Sequence, residues 1–333
     1  MKFGPIPVAQ AGGAILAHAV SVPGGRLRKG HRLRADDLDR LAAAGLDMVT
    51  VATLDAGDVD EDAAALRLAQ ALVPDPAAAG LSLDRAFTGR VNIRATGPGI
   101  MALDAAAITA LNAVDPMITL ATVPRWQRVS AGMMVGTVKM ISYAVSGAAL
   151  DRASALAVGA MRRLPPLLAH ADLIVTEVPG RPASPGDKGV RSVTGRLSAL
   201  GLATGRITIV PHEAGCLAQA LAASAAPMLL ILTGSATSDI RDVVPRAIMA
   251  AGGMVERFGM PVDPGNLLVL GRIGARPVIG LPGCARSPAL NGADWVLERL
   301  ACGVAVTSDD IAAMGVGGLL KEIPTRPQPR DRP

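Results

Sequence analysis

Segment 233–245, TGSATSDIRDVVP, gathers Gly234, the hydroxyls of Thr233, Ser235, Thr237 and Ser238, and the charges of Asp239, Arg241 and Asp242 into one short stretch. It follows an apolar run, MLLIL, and precedes a helical pattern from about Ile240 to Ala251. A turn between a buried strand and a helix lets backbone N–H groups, hydroxyls and the positive helix end converge on a phosphate. Asp239 reads as the N-cap of that helix. Asp242 supports two readings: a Mg2+ ligand above a bound phosphate, or a helix aspartate paired with Arg241 or Arg246.

Three further loops carry groups of comparable interest. PHEAG (211–215) offers His212, as an acid or base near neutral pH or as the cap of the next helix, and Glu213. PGRPASPGDKG (179–189) and PGCARSP (282–288) are rich in Gly, Pro, Ser and charge, as ordinary turns also are. Cys284 is either a reactive thiol or a passive small side chain. Cys216 and Cys302 read as helix-packing residues.

These loops need a frame, and the pattern supplies one. From about Leu164, strand and helix alternate: DLIVTEV (172–178), a helix from Val190 to Leu200, RITIV (206–210), a helix from Glu213 to Ser224, MLLIL (228–232) and the helix to Ala251. Continuous apolar strands alternating with helices predict a mostly parallel sheet covered on both faces, a three-layer α/β fold. Ligands of such sheets bind beyond the carboxyl ends of the strands, which is where all four loops fall. LLVLGRIGARPVIGLPG (267–283) predicts two more short strands around a turn, and 291–301 a closing helix. Residues 1–165 read as a smaller α+β domain with helices at 36–44, from about Asp58 to Leu72, and at 105–112. Its strands lie at 47–54 and within GRVNIRA, GIMALD and MITLATV. The acidic cluster Asp58, Asp60, Glu61 and Asp62 is explained by helix capping. The second domain is expected over 166–322, and a Pro- and Arg-rich tail, 323–333, is expected to be unstructured.

Composition narrows the function. Half of the 333 residues are hydrophobic and only 2 % aromatic, so the core is built from small aliphatic side chains. That scarcity of aromatic platforms argues against single-stranded nucleic-acid binding. A net charge of +5, spread along the chain, suits a small anionic ligand better than a polyanion. Three scattered cysteines point to a reducing cytoplasm. The most apolar window, 131–150, is interrupted by Lys139, two serines and glycines, so no membrane span is read.

GSATSDIRDVVPRA resembles the signature of the molybdenum-cofactor biosynthesis domain, shared by molybdopterin adenylyltransferases and molybdenum insertases. Gly234, Arg241, Asp242, Val243, Pro245 and Ala247 match by position. Ser235, Ala236 and Thr237 replace the rest of a Gly-Gly-Thr-Gly turn, and Arg246 replaces a Glu. SPGDKGVRSVTGRLSALG (184–201) resembles the opening of that domain, with Gly186 and Asp187 retained and Lys188 in place of an acid. HEAGCLAQAL takes the place of an Asp-Asp pair, leaving Glu213. MPVDPGNLLVLGRIGARPVIGLPGCARSP (260–288) resembles the insertase loops, with Pro264, Gly265, Asn266, Gly283 and, where an Asn is usual, Cys284. TGRVNIRA, VDPMITLATV and VGTVKMISYAV resemble bacterial molybdopterin-binding proteins found alone or fused to a molybdenum-cofactor nucleotidyltransferase.

The resemblance implies a molybdopterin ligand and association into homo-oligomers. Gly234, Ser235, Thr237, Ser238 and Arg241 would bind phosphate, while Asn266, Arg286 and Ser287 would face the dithiolene and molybdate end. Arg90 and Lys139 would either reach the pterin site or extend their charge into water. Three functions are compatible with this. One is nucleotidyl transfer or molybdate insertion with Mg2+ and ATP, with Asp242 and Glu213 as the catalytic acids. The second is a non-catalytic carrier or adaptor serving a nucleotidyltransferase or molybdoenzyme. The third is an unrelated nucleotide-binding α/β protein.

Overall fold

The computed structural model describes residues 1–320 and divides into two compact units, Met1–Gly97 with Met101–Arg163, and Pro98–Ile100 with the chain from 164 onward. The expected tail, 323–333, lies outside the described residues, as do the last two positions expected in the second domain.

The first unit is α+β and has two cores. In one, strands Lys2–Pro7, Met48–Thr53 and Ile15–Leu16 pair antiparallel, and helix Ala35–Ala43 contributes Leu41 to a core with Val8, Leu16, Leu33 and Val51. The other holds a four-stranded antiparallel sheet in the order Ile118–Thr122, Met134–Met140, Arg90–Ala95, Leu81–Leu83. Strand Arg90–Ala95 alternates as its sequence demands, burying Val91, Ile93 and Ala95 against helix Glu61–Leu72 through Ala65, Leu68 and Leu72. Helix Ala105–Asn112 falls where the pattern places it, and helix Gly147–Leu156 was not anticipated.

Asp58 does not open a helix. Residues Asp58–Asp60 form a short strand against Ala144–Ser146, and the helix starts at Glu61 because Asp60 accepts the N–H groups of Asp62 and Ala63, both at 3.0 Å. The capping reading of this cluster therefore holds for Asp60. Lys139 donates to the Thr88 carbonyl at 2.5 Å and lies 3.8 Å from Glu61, while Arg90 is exposed.

The second unit is built on a six-stranded sheet in the order Ala203–Pro211, His170–Glu177, Leu229–Leu232, Arg276–Leu281, Val269–Ile273, Met254–Phe258. The first four strands are parallel, as expected, and the last two antiparallel. The hairpin joining Val269–Ile273 to Arg276–Leu281 turns at Gly274, whose φ of +60° suits glycine. Strand Met254–Phe258 is an addition to the expected set. Its half-exposed edge position leaves only a weak apolar pattern in MVERF.

Two helical layers cover the sheet. Leu230 and Leu232 of the central strand face a core shared with helices Lys188–Leu200 and Gly292–Ala301. Leu229 and Ile231 face a core shared with Ala214–Ala223 and Val243–Ala250. That double burial is why LLIL carries no polar residue. Among the described residues no helix is long and apolar enough to cross a membrane.

Candidate functional site

Parallel pairing aligns the carboxyl ends of four strands, so the loops beginning at His212, Val178, Thr233 and Pro282 lie side by side in that order. A fifth segment joins them. Val269 pairs with Gly280, near the carboxyl end of Arg276–Leu281, which brings loop 259–268 to the same edge.

The loop after the central strand is fixed by its neighbours. Gly234 donates its N–H to the hydroxyl of Thr176 at 2.9 Å. A Cβ at Gly234 would stand 2.7 Å from the carbonyl oxygen of Thr176, so this glycine is demanded by the adjacent strand end. Thr176 is 1 % exposed, and its hydroxyl lies 2.8 Å from Nδ1 of His212. With Nδ1 so engaged, Nε2 is the ring nitrogen that has no protein partner among the described residues. His212 therefore does not cap the following helix. Glu213 occupies the N-cap position, and its exposed side chain makes no capping bond.

Beyond Gly234, the backbone N–H groups of Ser235, Ala236 and Thr237 meet no acceptor among the described residues. Ser235 and Ser238 are exposed, while Thr237 is buried. The helix begins at Val243, three positions later than its sequence pattern suggests, because Asp242 rather than Asp239 caps it. Asp242 accepts the N–H of Val243 at 2.6 Å, the backbone N–H of Ser238 at 3.0 Å and the Ser238 hydroxyl at 3.4 Å. Burial works to raise the Asp242 carboxyl, but the Ser238 and Val243 hydrogen bonds and nearby His212 outweigh it and hold the group below its ordinary value. Asp239 instead pairs with Arg241 at 3.0 Å on the surface. The Arg241 side chain stands 86 % exposed there.

The loop after Arg276–Leu281 is organised from below by Arg196, only 6 % exposed. Its guanidinium donates to Asp294 at 2.5 Å and to the carbonyls of Ser192, Ala285, Ser287 and Ala289 at 2.8–3.2 Å. Asp294 in turn accepts the N–H of Asn291 at 2.8 Å. Asn291 is 1 % exposed and places its amide nitrogen 3.0 Å from the sulfur of Cys284.

The expected oxyanion donors are partly engaged. Arg286 donates to the Thr233 carbonyl at 2.7 Å, tying its loop to the central one. The Ser287 hydroxyl accepts from Ala289, and the Asn266 amide lies 3.5 Å from the Met260 carbonyl. Pro264 accepts the N–H of Gly292 at 2.9 Å, and Gly265 packs where a Cβ would approach Gly292 N to 2.9 Å. Both anchor their loop to the closing helix. Gly283 opens a short 3-10 turn ending at Arg286.

In the first loop, Asp187 accepts the N–H of Ser184 at 2.9 Å and precedes helix Lys188–Leu200, and the Gly186 carbonyl accepts from Arg191. Between this loop and His212 opens a cavity of about 350 Å3, lined among others by Glu177, Pro179, Pro182, Pro211, His212 and Glu213. Glu177 accepts the N–H of Ala183 at 3.0 Å. Among the described residues no group of three or more His, Cys, Asp or Glu side chains is arranged to hold a metal ion.

Gly234, Ser235, Thr237, Ser238 and Asp242 thus share one loop with Thr176 and His212 at its side. Gly283, Cys284, Arg286 and Ser287 adjoin it through the Arg286 bond. Pro264, Gly265 and Asn266 sit against the closing helix. Thr176 and Glu177 were missed because a polar pair at a strand end carries no spacing signal. Arg196 did leave one: it falls three residues after Val193 and one before Leu197, on the apolar stripe of its helix, where an arginine must find buried partners.

A family model for a domain of unknown function (DUF8806) matches residues 5–53. No curated protein matches the chain. Among solved structures, the chain is similar to the molybdopterin biosynthesis MoeA protein of Pyrococcus horikosii at 16 % identity and a TM-score of 0.31, over 91 % of this chain and 75 % of that one. It is also similar to molybdenum cofactor biosynthesis protein B at 16 % identity and a TM-score of 0.28, over 40 % of this chain and 88 % of that one. Likenesses this distant bear on neither ligand nor activity.

Proposed function

We propose that the second unit binds molybdopterin during assembly or delivery of the molybdenum cofactor, seating its phosphate on loop 233–242. The observation that carries this reading is the run of N–H groups at Ser235, Ala236 and Thr237 with no acceptor among the described residues, at the carboxyl end of the central parallel strand. The hydroxyl of Ser235 adds a donor, and Arg241 and Arg286 add positive charge beside it. The resemblance of segment 234–247 to the molybdenum-cofactor biosynthesis signature supports a pterin phosphate as the anion.

Between catalysis and carriage, the loop favours carriage. Asp242 is engaged in the fold, both its oxygens accepting N–H groups that hold the helix start, Glu213 stands exposed on another loop, and neither belongs to a group of three or more metal-ligating side chains among the described residues. The chain is accordingly a carrier or adaptor whose recipient is a nucleotidyltransferase or a molybdoenzyme.

The test is to purify the full chain from a host that makes molybdopterin, then release and oxidise the bound species to its fluorescent pterin. Wild type should yield pterin, and Ala236→Asp, which sets a carboxylate at the amide run, should yield little. No pterin from wild type, or an equal load on the variant, would overturn the reading. An ATP-dependent adenylylation abolished by Asp242→Ala would replace carriage by catalysis.

A further inference from the structure

We propose that the cavity beside His212 selects a planar heterocycle by its 2-aminopyrimidinone edge, the adjacent N–H and NH2 donors common to pterins and guanine, and that the carboxylate of Glu177 receives that edge. That one ligand fills this cavity and the amide loop together rests on the binding reading given above; the edge recognition itself does not.

The cavity has the opposite polarity to the amide loop. Glu177, Glu213 and His212 line it, and among the described residues no lysine or arginine does. It therefore calls for hydrogen-bond donors, whereas the N–H groups of residues 235–237 call for an acceptor. Its volume, about 350 Å3, is at the small end of ligand pockets and suits a bicyclic ring. Pro179, Pro182 and Pro211 give it stiff apolar walls against which a flat ring can lie.

Of the two carboxylates, Glu177 is the oriented one. It is half-buried at a strand end, and the N–H of Ala183 fixes one of its oxygens at 3.0 Å before any ligand arrives. Glu213 is exposed, and among the described residues its carboxylate meets only the Cys216 sulfur, at 3.9 Å. A fixed carboxylate matches two parallel N–H donors as it would a guanidinium, so the paired edge is preferred to a single amine.

The two half-sites share the neighbouring residues His212 and Thr176. His212 lies on the cavity wall, its Nδ1 is 2.8 Å from the Thr176 hydroxyl, and that hydroxyl is 2.9 Å from Gly234 N. The cavity wall and the residue that precedes the amide run are thus joined through Thr176 by two hydrogen bonds.

The experiment compares ligands that differ only at the 2-position. Pterin and lumazine, which carries an oxygen in place of the amine, are titrated against the full chain by fluorescence, and guanosine and xanthosine monophosphates by calorimetry. Pterin should bind more tightly than lumazine by about tenfold, since the missing donor leaves a charged acceptor unpaired. Glu177→Gln should bring that ratio close to one while preserving the bond from Ala183. A guanosine preference lost in the same variant supports the edge and assigns it to a nucleotide, whereas a pterin preference alone assigns it to a pterin. Equal binding within both pairs, a preference unchanged in Glu177→Gln, or no binding of any of the four probes overturns the proposal. Pterin and lumazine carry no phosphate, so failure of Ala236→Asp to reduce the bound pterin would sink the amide-loop reading without touching this one.

Discussion

Gly234 donates its backbone N–H to the hydroxyl of Thr176 at 2.9 Å, and it comes so near the Thr176 carbonyl that any side chain at 234 would overlap it. The strand end at 176 therefore shapes the loop at 234. Replacing Thr176 by Val keeps the volume and leaves that N–H without its acceptor. The unfolding free energy measured in urea should fall by about 1–3 kcal/mol, and Thr176→Ser should restore most of it.

Gly234→Ala tests the contact from the other side. The added Cβ would lie 2.7 Å from backbone, which has no flexible end to move aside. A loss of about 1–3 kcal/mol is expected. Ser235→Ala, on the exposed neighbour, should leave stability unchanged, so a matched loss in both variants would discredit the steric account.

Arg196 and Asp294 are buried partners, and removing one strands the other. Arg196→Met should cost about 3–5 kcal/mol and expose residues 282–291 to limited proteolysis. Arg196→Lys should recover little, because a single ammonium cannot reach Asp294 together with four carbonyls around it. Full recovery by lysine would show that charge alone matters.

Asp242 gives the protein an acid-sensitive loop. Its carboxyl is held below the ordinary value in the fold, so its stabilisation is complete above the ordinary carboxylate range and is lost as pH falls through the depressed value. Thermal unfolding followed from about pH 6 down to about pH 3 should show a decline that Asp242→Asn flattens, since the amide has no such proton to gain. An identical decline in both proteins would assign the acid sensitivity to other carboxylates.

Asp239 and Arg241 form a pair on the open surface, with side chains 53 % and 86 % exposed. Solvent screens such a pair, so Asp239→Ala should leave the melting temperature where it is. Its effect should instead appear in anion binding, where freeing Arg241 tightens inorganic phosphate on the loop; a phosphate affinity that does not change would separate Arg241 from the site.

Much of this protein was determined by its sequence alone. Apolar runs such as LLIL, recurring between helical stretches, fit a parallel sheet covered on both faces, and that alternation placed four loops at one edge. Val91, Ile93 and Ala95 likewise fixed the inward face of their strand by spacing alone. Position within each loop was another matter. Whether Asp239 or Asp242 starts the helix depends on which carboxylate reaches Val243 and Ser238, two aspartates three residues apart being equivalent as letters. His212 reads as a cap until the neighbouring strand sets Thr176 beside its Nδ1. Glu177 gains its role from the fold of the following loop, which returns Ala183 to it. Periodicity records which face of an element meets the core, whereas hydrogen bonds between loops of different strands join residues dozens of positions apart, and only the assembled sheet brings those together.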